Sequence, residues 1–186
     1  IGKDVGSDLY QKQSKSSNDS NEVTIGLGVI ASTNSANINE FEVDNNFLVW
    51  GSDNGAYTAA SSTVTTLRAG LTTSATKINK KWKIVETGGD VGNIFISIPV
   101  AAFSSFSKVA TEEYALIVSD NSNFNDSDII DVIPLKSDGI GGLQTWYDFD
   151  GTKYFTFGKV PKTDSNELVN IGAGSFLVGE YALNLN

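Results

Sequence analysis

The chain has 186 residues, enough for one domain with a sizeable core and at most a small appendage. Its 13 basic against 22 acidic residues leave a net charge of -9, which repels nucleic-acid phosphates and anionic lipid alike. With no His and no Cys, the sequence offers no cysteine nucleophile, Ser-His-Asp triad, thiolate redox couple, haem ligand or ordinary zinc site.

Met is missing too, which implies a mature product or an excised piece. Apolar runs such as Phe47-Leu48-Val49-Trp50 are far shorter than the roughly 20 residues of a membrane span, so no membrane insertion is expected. The absence of Cys fits a reducing cytosol and a disulfide-free exported bacterial protein equally. Composition points outward: 18 Gly, many Ser, Thr, Asn and Asp, and 19 % charged residues describe short strands joined by polar turns. The expected setting is secreted or at the cell surface.

Along the chain, Gln11 to Asn21 reads as a polar surface loop. Val23, Ile25, Leu27 and Val29 then share one face of a strand, with Thr24, Gly26 and Gly28 opposite. Further strands are predicted over Phe47–Gly51, Asn79–Thr87, Val91–Val100 and Tyr114–Ser119. They continue over Ile129–Leu135, Leu143–Phe149, Lys153–Phe157 and Ser175–Leu185. Short helical turns fit Val100–Phe106 and Ser165–Val169; no amphipathic helix of three turns is visible. Asp53-Asn54-Gly55 carries the Asn-Gly of a type I′ turn, Gly88-Gly89-Asp90 joins two strands, and Asp150-Gly151 predicts a hairpin between aromatic-rich strands. Consecutive hairpins make an antiparallel sheet, and about nine strands exceed a comfortable single layer. The predicted fold is all-β, a two-layer antiparallel β-sandwich of Ig-like or jelly-roll-like type with little helix.

Residues 1–158 form the sandwich module in this reading, 159–174 a linker, and 175–186 a terminal strand. Phe176, Val178, Tyr181 and Leu183 lie on a strand whose two faces are both apolar. Such a strand needs cover on both sides, from its own sandwich or from a neighbour's edge.

Several residue groups invite a chemical reading. Ser-x-x-Lys occurs at Ser74–Lys77 and Ser105–Lys108, and Ser-Asp-Asn at Ser52–Asn54 and Ser119–Asn121, as in penicillin-recognising hydrolases. The chain is too short for that fold, lacks Lys-Thr-Gly, and follows neither serine with a long helix, so chance in a Ser- and Asn-rich sequence explains the tetrads. Glu86, Glu112, Glu113, Asp148 and Asp150 supply carboxylates for a glycosidase pair, but turn chemistry and solvation account for them. No catalytic residue is assigned, and the chain is not expected to be an enzyme. Calcium is the one cofactor the sequence offers: Asp120, Asn123, Asn125, Asp126 and Asp128 concentrate hard oxygen donors in one loop, without the EF-hand glycine or terminal Glu. Among the aromatics, Trp82 aligns with Ile84 and Trp50 with Leu48, both core patterns. Trp146 shares its face with Asp148 and Asp150, so Trp146, with Tyr147 beside it, is the candidate platform for a sugar ring.

Several separated stretches carry a family resemblance. Ile1-Gly2-Lys3-Asp4 leads through Gln11–Ser16 into Val23-Thr24-Ile25-Gly26-Leu27-Gly28. Asn46 to Gly55 and Trp82-Lys83-Ile84-Val85-Glu86-Thr87-Gly88 form the middle, and Asp150 to Gly158 closes it. Together they resemble the domain of unknown function that follows LamG-like jelly-roll domains in large exported surface proteins of Bacteroidota. The resemblance implies a secreted multidomain context and transfers no functional residue. Three roles follow: a structural or adhesion module of a surface protein, a carbohydrate-binding accessory to a polysaccharide-degrading enzyme, or a filament subunit joined by strand exchange. Partners would accordingly be neighbouring domains, like subunits or a glycan.

Overall fold

The computed structural model describes residues 1–5, 10–15, 17, 19–68, 71–162, 168–171 and 174–177. Its strands in the first half are β1 (Gly2–Lys3), β2 (Tyr10–Gln11), β3 (Gln13–Lys15), β4 (Thr24–Leu27), β5 (Phe47–Ser52), β6 (Ala59–Arg68) and β7 (Leu71–Ile78). There follow β8 (Trp82–Thr87), β9 (Ile94–Pro99), β10 (Glu112–Ser119), β11 (Ile129–Pro134), β12 (Lys136–Ser137), β13 (Gly142–Tyr147) and β14 (Thr152–Pro161). A separate two-stranded hairpin pairs β15 (Leu168–Ile171) with β16 (Gly174–Leu177).

Every described pairing is antiparallel. A nine-stranded sheet runs β11-β10-β14-β8-β5-β1-β2, with the β6–β7 hairpin attached to β14, and a five-stranded sheet runs β12-β13-β9-β4-β3. Alternation places Ile94, Ile96 and Ile98 of β9 and Ile25 of β4 inward from the smaller sheet, as expected. They meet Leu48, Trp82, Ile84, Leu116, Val118, Phe155 and Phe157 from the larger one. Trp82 stacks flat on Phe155 with ring centroids 5.3 Å apart and receives the edge of Phe157 at 5.4 Å. Full burial of each large side chain contributes about 1.5–3 kcal/mol, so this layer between the sheets dominates the stability. The predicted all-β sandwich is the observed architecture, and a 3-10 turn at Val100–Phe103 falls where a short helical turn was expected.

A second core lies on the outer face of β10. Leu116 and Val118 point into the sandwich, whereas Ala115 and Ile117 point the other way, to Val64, Ala75, Phe124, Val132 and Val160. The β6–β7 hairpin covers this face, its β6 meeting β11. Sequence alternation marks no strand between Tyr57 and Ile78.

The turns correct the sequence reading in three places. β13 pairs with β9 and β12, while β14 pairs with β10, β8 and β7, so Asp150-Gly151 carries the chain between sheets and closes no hairpin. Phe149, buried at the core, is the reason: its side chain enters the space between the layers as the chain crosses. Gly88-Gly89-Asp90 likewise passes from β8 in the larger sheet to β9 in the smaller. At Asp53-Asn54-Gly55 only Asn54 (φ 59) is left-handed, where a type I′ turn needs two such residues. There the Asp53 carboxylate accepts the Gly55 and Lys81 N–H groups instead. Strand ends moved too. β4 stops at Leu27 because Gly28 (φ 67) turns the chain and leaves Val29 exposed. β14 runs on to Pro161, and the segment expected as a linker contains β15. Phe176 lies in β16; Val178, Tyr181, Leu183 and most of the predicted 165–169 turn lie outside the described residues.

Candidate functional site

The strand pair β11–β12 is one extended segment that changes sheets. Pro134 pairs with Ala115 of the larger sheet, and two residues on Lys136 pairs with Gln144 of the smaller. β12 therefore covers only the start of β13, and a cleft of about 750 Å³ opens beside the rest. Its apolar part is Phe95, Ile133, Pro134 and Trp146; Asn93, Asp131, Lys136, Gln144, Tyr147 and Asp148 add the polar groups.

Trp146 stands opposite Phe95 in the β13–β9 ladder and is 61 % exposed. Tyr147 faces the other way. Its ring meets Phe149 edge-on at 4.7 Å, and its hydroxyl donates to Asp131 Oδ2 at 3.1 Å. Burial, then the Asp131 carboxylate, pushes the phenol well above its ordinary range, so it remains a neutral donor. The two aromatics singled out in the sequence thus line one cleft. Their partners Asp131, Pro134 and Lys136 were missed; Pro134 inside an apolar run was the available signal, because proline marks an edge or a break in a strand.

The cleft is acidic on one side. Burial first, then the neighbouring Asp90 and Asp150 carboxylates, raises the Asp148 carboxyl above the usual range. A folded-state pKa above the unfolded one contributes stability below the unfolded value and loses it as pH rises through the folded value. Asp148→Asn is therefore expected to raise the melting temperature slightly at pH 7, by the modest free energy typical of screened surface charges, and to lose that advantage near about pH 4. Melts across that range check it; a variant less stable at pH 7 refutes the charge argument.

Four of the five candidate calcium donors in the Asp120–Asp128 loop, Asp120, Asn125, Asp126 and Asp128, have their side chains partnered within the protein. Asp120 pairs with Lys153 at 3.1 Å, Asp126 Oδ1 accepts the Thr65 N–H at 2.8 Å, and Asp128 Oδ2 accepts the Asn125 amide at 2.9 Å. Asn123 donates its own N–H to Asn121 Oδ1, and Phe124, next in the chain, is buried in the second core. The Asp126–Thr65 bond and Phe124 dock the loop on β6, and Asp120 ties it to β14. Among the described residues, no group of three or more acidic side chains converges as a metal site.

The serine tetrads are not brought together. Ser74 is exposed on β7 while Lys77, three positions along an extended strand, is buried. Ser105 and Lys108 are both exposed, with the Lys108 ammonium 5.9 Å from the centre of the Tyr114 ring. Of the carboxylates, Glu86 accepts the Val91 N–H at 2.6 Å and Glu112 lies 3.4 Å from Lys159. Trp82 is in the core as expected, whereas Trp50 is half-buried beside a smaller groove of about 350 Å³. No described helix is long and apolar enough to cross a membrane.

A family model described as a domain of unknown function, DUF8202, matches residues 1–149. No curated protein and no solved structure matches the chain.

Proposed function

The chain belongs to the DUF8202 family of domains of unknown function, and from that premise we propose a non-catalytic adhesion module that holds a carbohydrate in the Trp146 cleft. The observation that carries this reading is the exposed indole itself. A large aromatic left in water beside a concave, mostly apolar surface marks an interaction site more often than a packing accident. Asp131, Gln144, Lys136 and Asn93 stand around it with donors and acceptors for hydroxyl groups. Ring stacking plus a few polar contacts is what a pyranose needs.

The wider setting we propose is an exported bacterial surface protein, where the module follows a LamG-like jelly-roll domain. The turn-rich, charge-poor composition supports export, and the expected partners are neighbouring domains and a glycan. A catalytic domain in the same polypeptide would make the module an accessory to polysaccharide degradation.

A glycan-array screen followed by titration calorimetry tests the site. Trp146→Ala is expected to cost at least about 2 kcal/mol of binding, roughly thirtyfold, as truncation of a central aromatic anchor does. The melting temperature should hold, because the indole is exposed. Equal affinity of the variant, or an array with no bound glycan, overturns the proposal.

A further inference from the structure

The cleft exists because β13 lacks a neighbour past Gln144 on the side away from β9, and ladder geometry identifies the main-chain groups left over. The Asp138 N–H donates to the Gly142 carbonyl at 3.1 Å on the β12 side, and the Val100 N–H donates to the Gly141 carbonyl at 2.9 Å on the β9 side. Hydrogen-bonding direction alternates along an antiparallel strand. The register with β9 runs unbroken from Gly142 to Tyr147. Leu143, Thr145 and Tyr147 therefore direct their N–H and C=O groups to β9, and Gly142, Gln144 and Trp146 direct theirs away from it. Asp138 and Lys136 satisfy the first two. The residue that would face Trp146 is Pro134, which has no N–H and is drawn into the other sheet opposite Ala115.

We infer that the Trp146 main-chain N–H and C=O form part of the binding site and select an uncharged saccharide lying along the β13 edge. This rests on the sugar-binding reading above. The edge needs one acceptor and one donor at the same place, and hydroxyl groups supply both. A carboxylate or sulfate group only accepts, so it cannot itself serve the Trp146 carbonyl, and charge is what disfavours an acidic saccharide there. It would also meet Asp131 and Asp148, with Asp90 and Asp150 close behind them, against Lys136 as the one cation among the described residues lining the cleft. An added peptide strand is the weaker fit. Beyond Gln144, which β12 already holds, only Trp146 of β13 presents a free edge, and strand addition draws its affinity from a run of such bonds.

Site-resolved amide exchange by NMR on the full chain tests the inference, with hexasaccharides of β-1,4-glucose and β-1,4-xylose as neutral probes and hexagalacturonate as the acidic one. In the free chain the Trp146 amide is expected to exchange at least tenfold faster than those of Thr145 and Tyr147. Saturation with a neutral probe that binds should slow Trp146 at least tenfold, and hexagalacturonate should leave it unchanged. Saccharide binding that is lost in Trp146→Ala but leaves the Trp146 amide unprotected overturns this inference and spares the sugar site. A fast amide with no binding of any glycan overturns the sugar reading and this inference with it. A Trp146 amide already slow in the free chain also overturns it, and release of that protection by truncation after Lys162 would identify the chain's own C-terminal segment as the missing strand.

Discussion

Lys80→Met is expected to destabilise the sandwich by about 3–5 kcal/mol, the cost of leaving a buried carboxylate without its counter-charge. Lys80 and Glu22 are both nearly inaccessible, with Lys80 Nζ 3.1 Å from Glu22 Oε2. The other carboxylate oxygen, Oε1, accepts the Trp82 indole N–H at 2.9 Å and the Val23 N–H at 3.0 Å. The ammonium also sits 5.1 Å from the Tyr57 ring centre and 5.6 Å from that of Trp82, and the Lys80 carbonyl accepts the Thr156 hydroxyl at 2.7 Å. Glu22 precedes β4 of the smaller sheet, whereas Lys80 and Trp82 lead into β8 of the larger. The pair is thus a clasp between the layers. At about 2–4 °C per kcal/mol for a chain of this size, the single variant should melt roughly 6–20 °C lower. The double variant Glu22→Gln/Lys80→Met should recover much of that loss, because an uncharged amide still accepts from Trp82 and no bare charge remains. Urea denaturation of the three proteins decides it. A single variant no worse than the double would show that charge compensation is not what the clasp provides.

Periodicity read the layers well and the connections poorly, for a physical reason. Ile94, Ile96 and Ile98 had to share a buried face whatever sheet they joined, because strand alternation is local. Asp150-Gly151 and Gly88-Gly89 equally had to turn the chain, yet a turn's chemistry does not say whether the next strand lands beside the last or in the opposite layer. At Asp150-Gly151 the crossing goes with Phe149, whose burial between the sheets is a tertiary fact. The β6–β7 hairpin escaped notice because, among its described residues, only Val64 and Ala75 enter the second core, in an otherwise Thr- and Ser-rich stretch. Its β-branched threonines were the faint signal. The candidate site divides the same way. Trp146 was legible because an aromatic aligned with Asp148 has no core to enter. Asp131, Pro134 and Lys136 come from another strand, and nothing local ties them to it.

Gly88→Ala is expected to destabilise the protein by about 2–5 kcal/mol, combining a left-handed backbone with a forced main-chain shift. Gly88 has φ +87, and a Cβ there would lie 1.7 Å from the Asn45 carbonyl oxygen. That oxygen belongs to main chain and cannot rotate aside. Asn45 is itself left-handed, and its N–H donates to the Lys3 carbonyl at 2.7 Å. Next to it, the Asn46 amide donates to the Asp90 carbonyl at 2.6 Å, so the 45–46 turn and the 88–90 crossing are fastened together. Relief for an added methyl group would have to come from parting them, where the chain passes from β8 to β9. Gly151→Ala separates the two components. Gly151 is also left-handed (φ +64), but nothing stands within 4 Å of a Cβ built on it. It should therefore lose only the conformational part, about 1–2 kcal/mol. Chemical denaturation of both variants measures the difference, which is the collision itself. If Gly88→Ala proves as mild as Gly151→Ala, the Asn45–Asn46 turn yields readily, and the crossing between the two layers is not fixed by that contact.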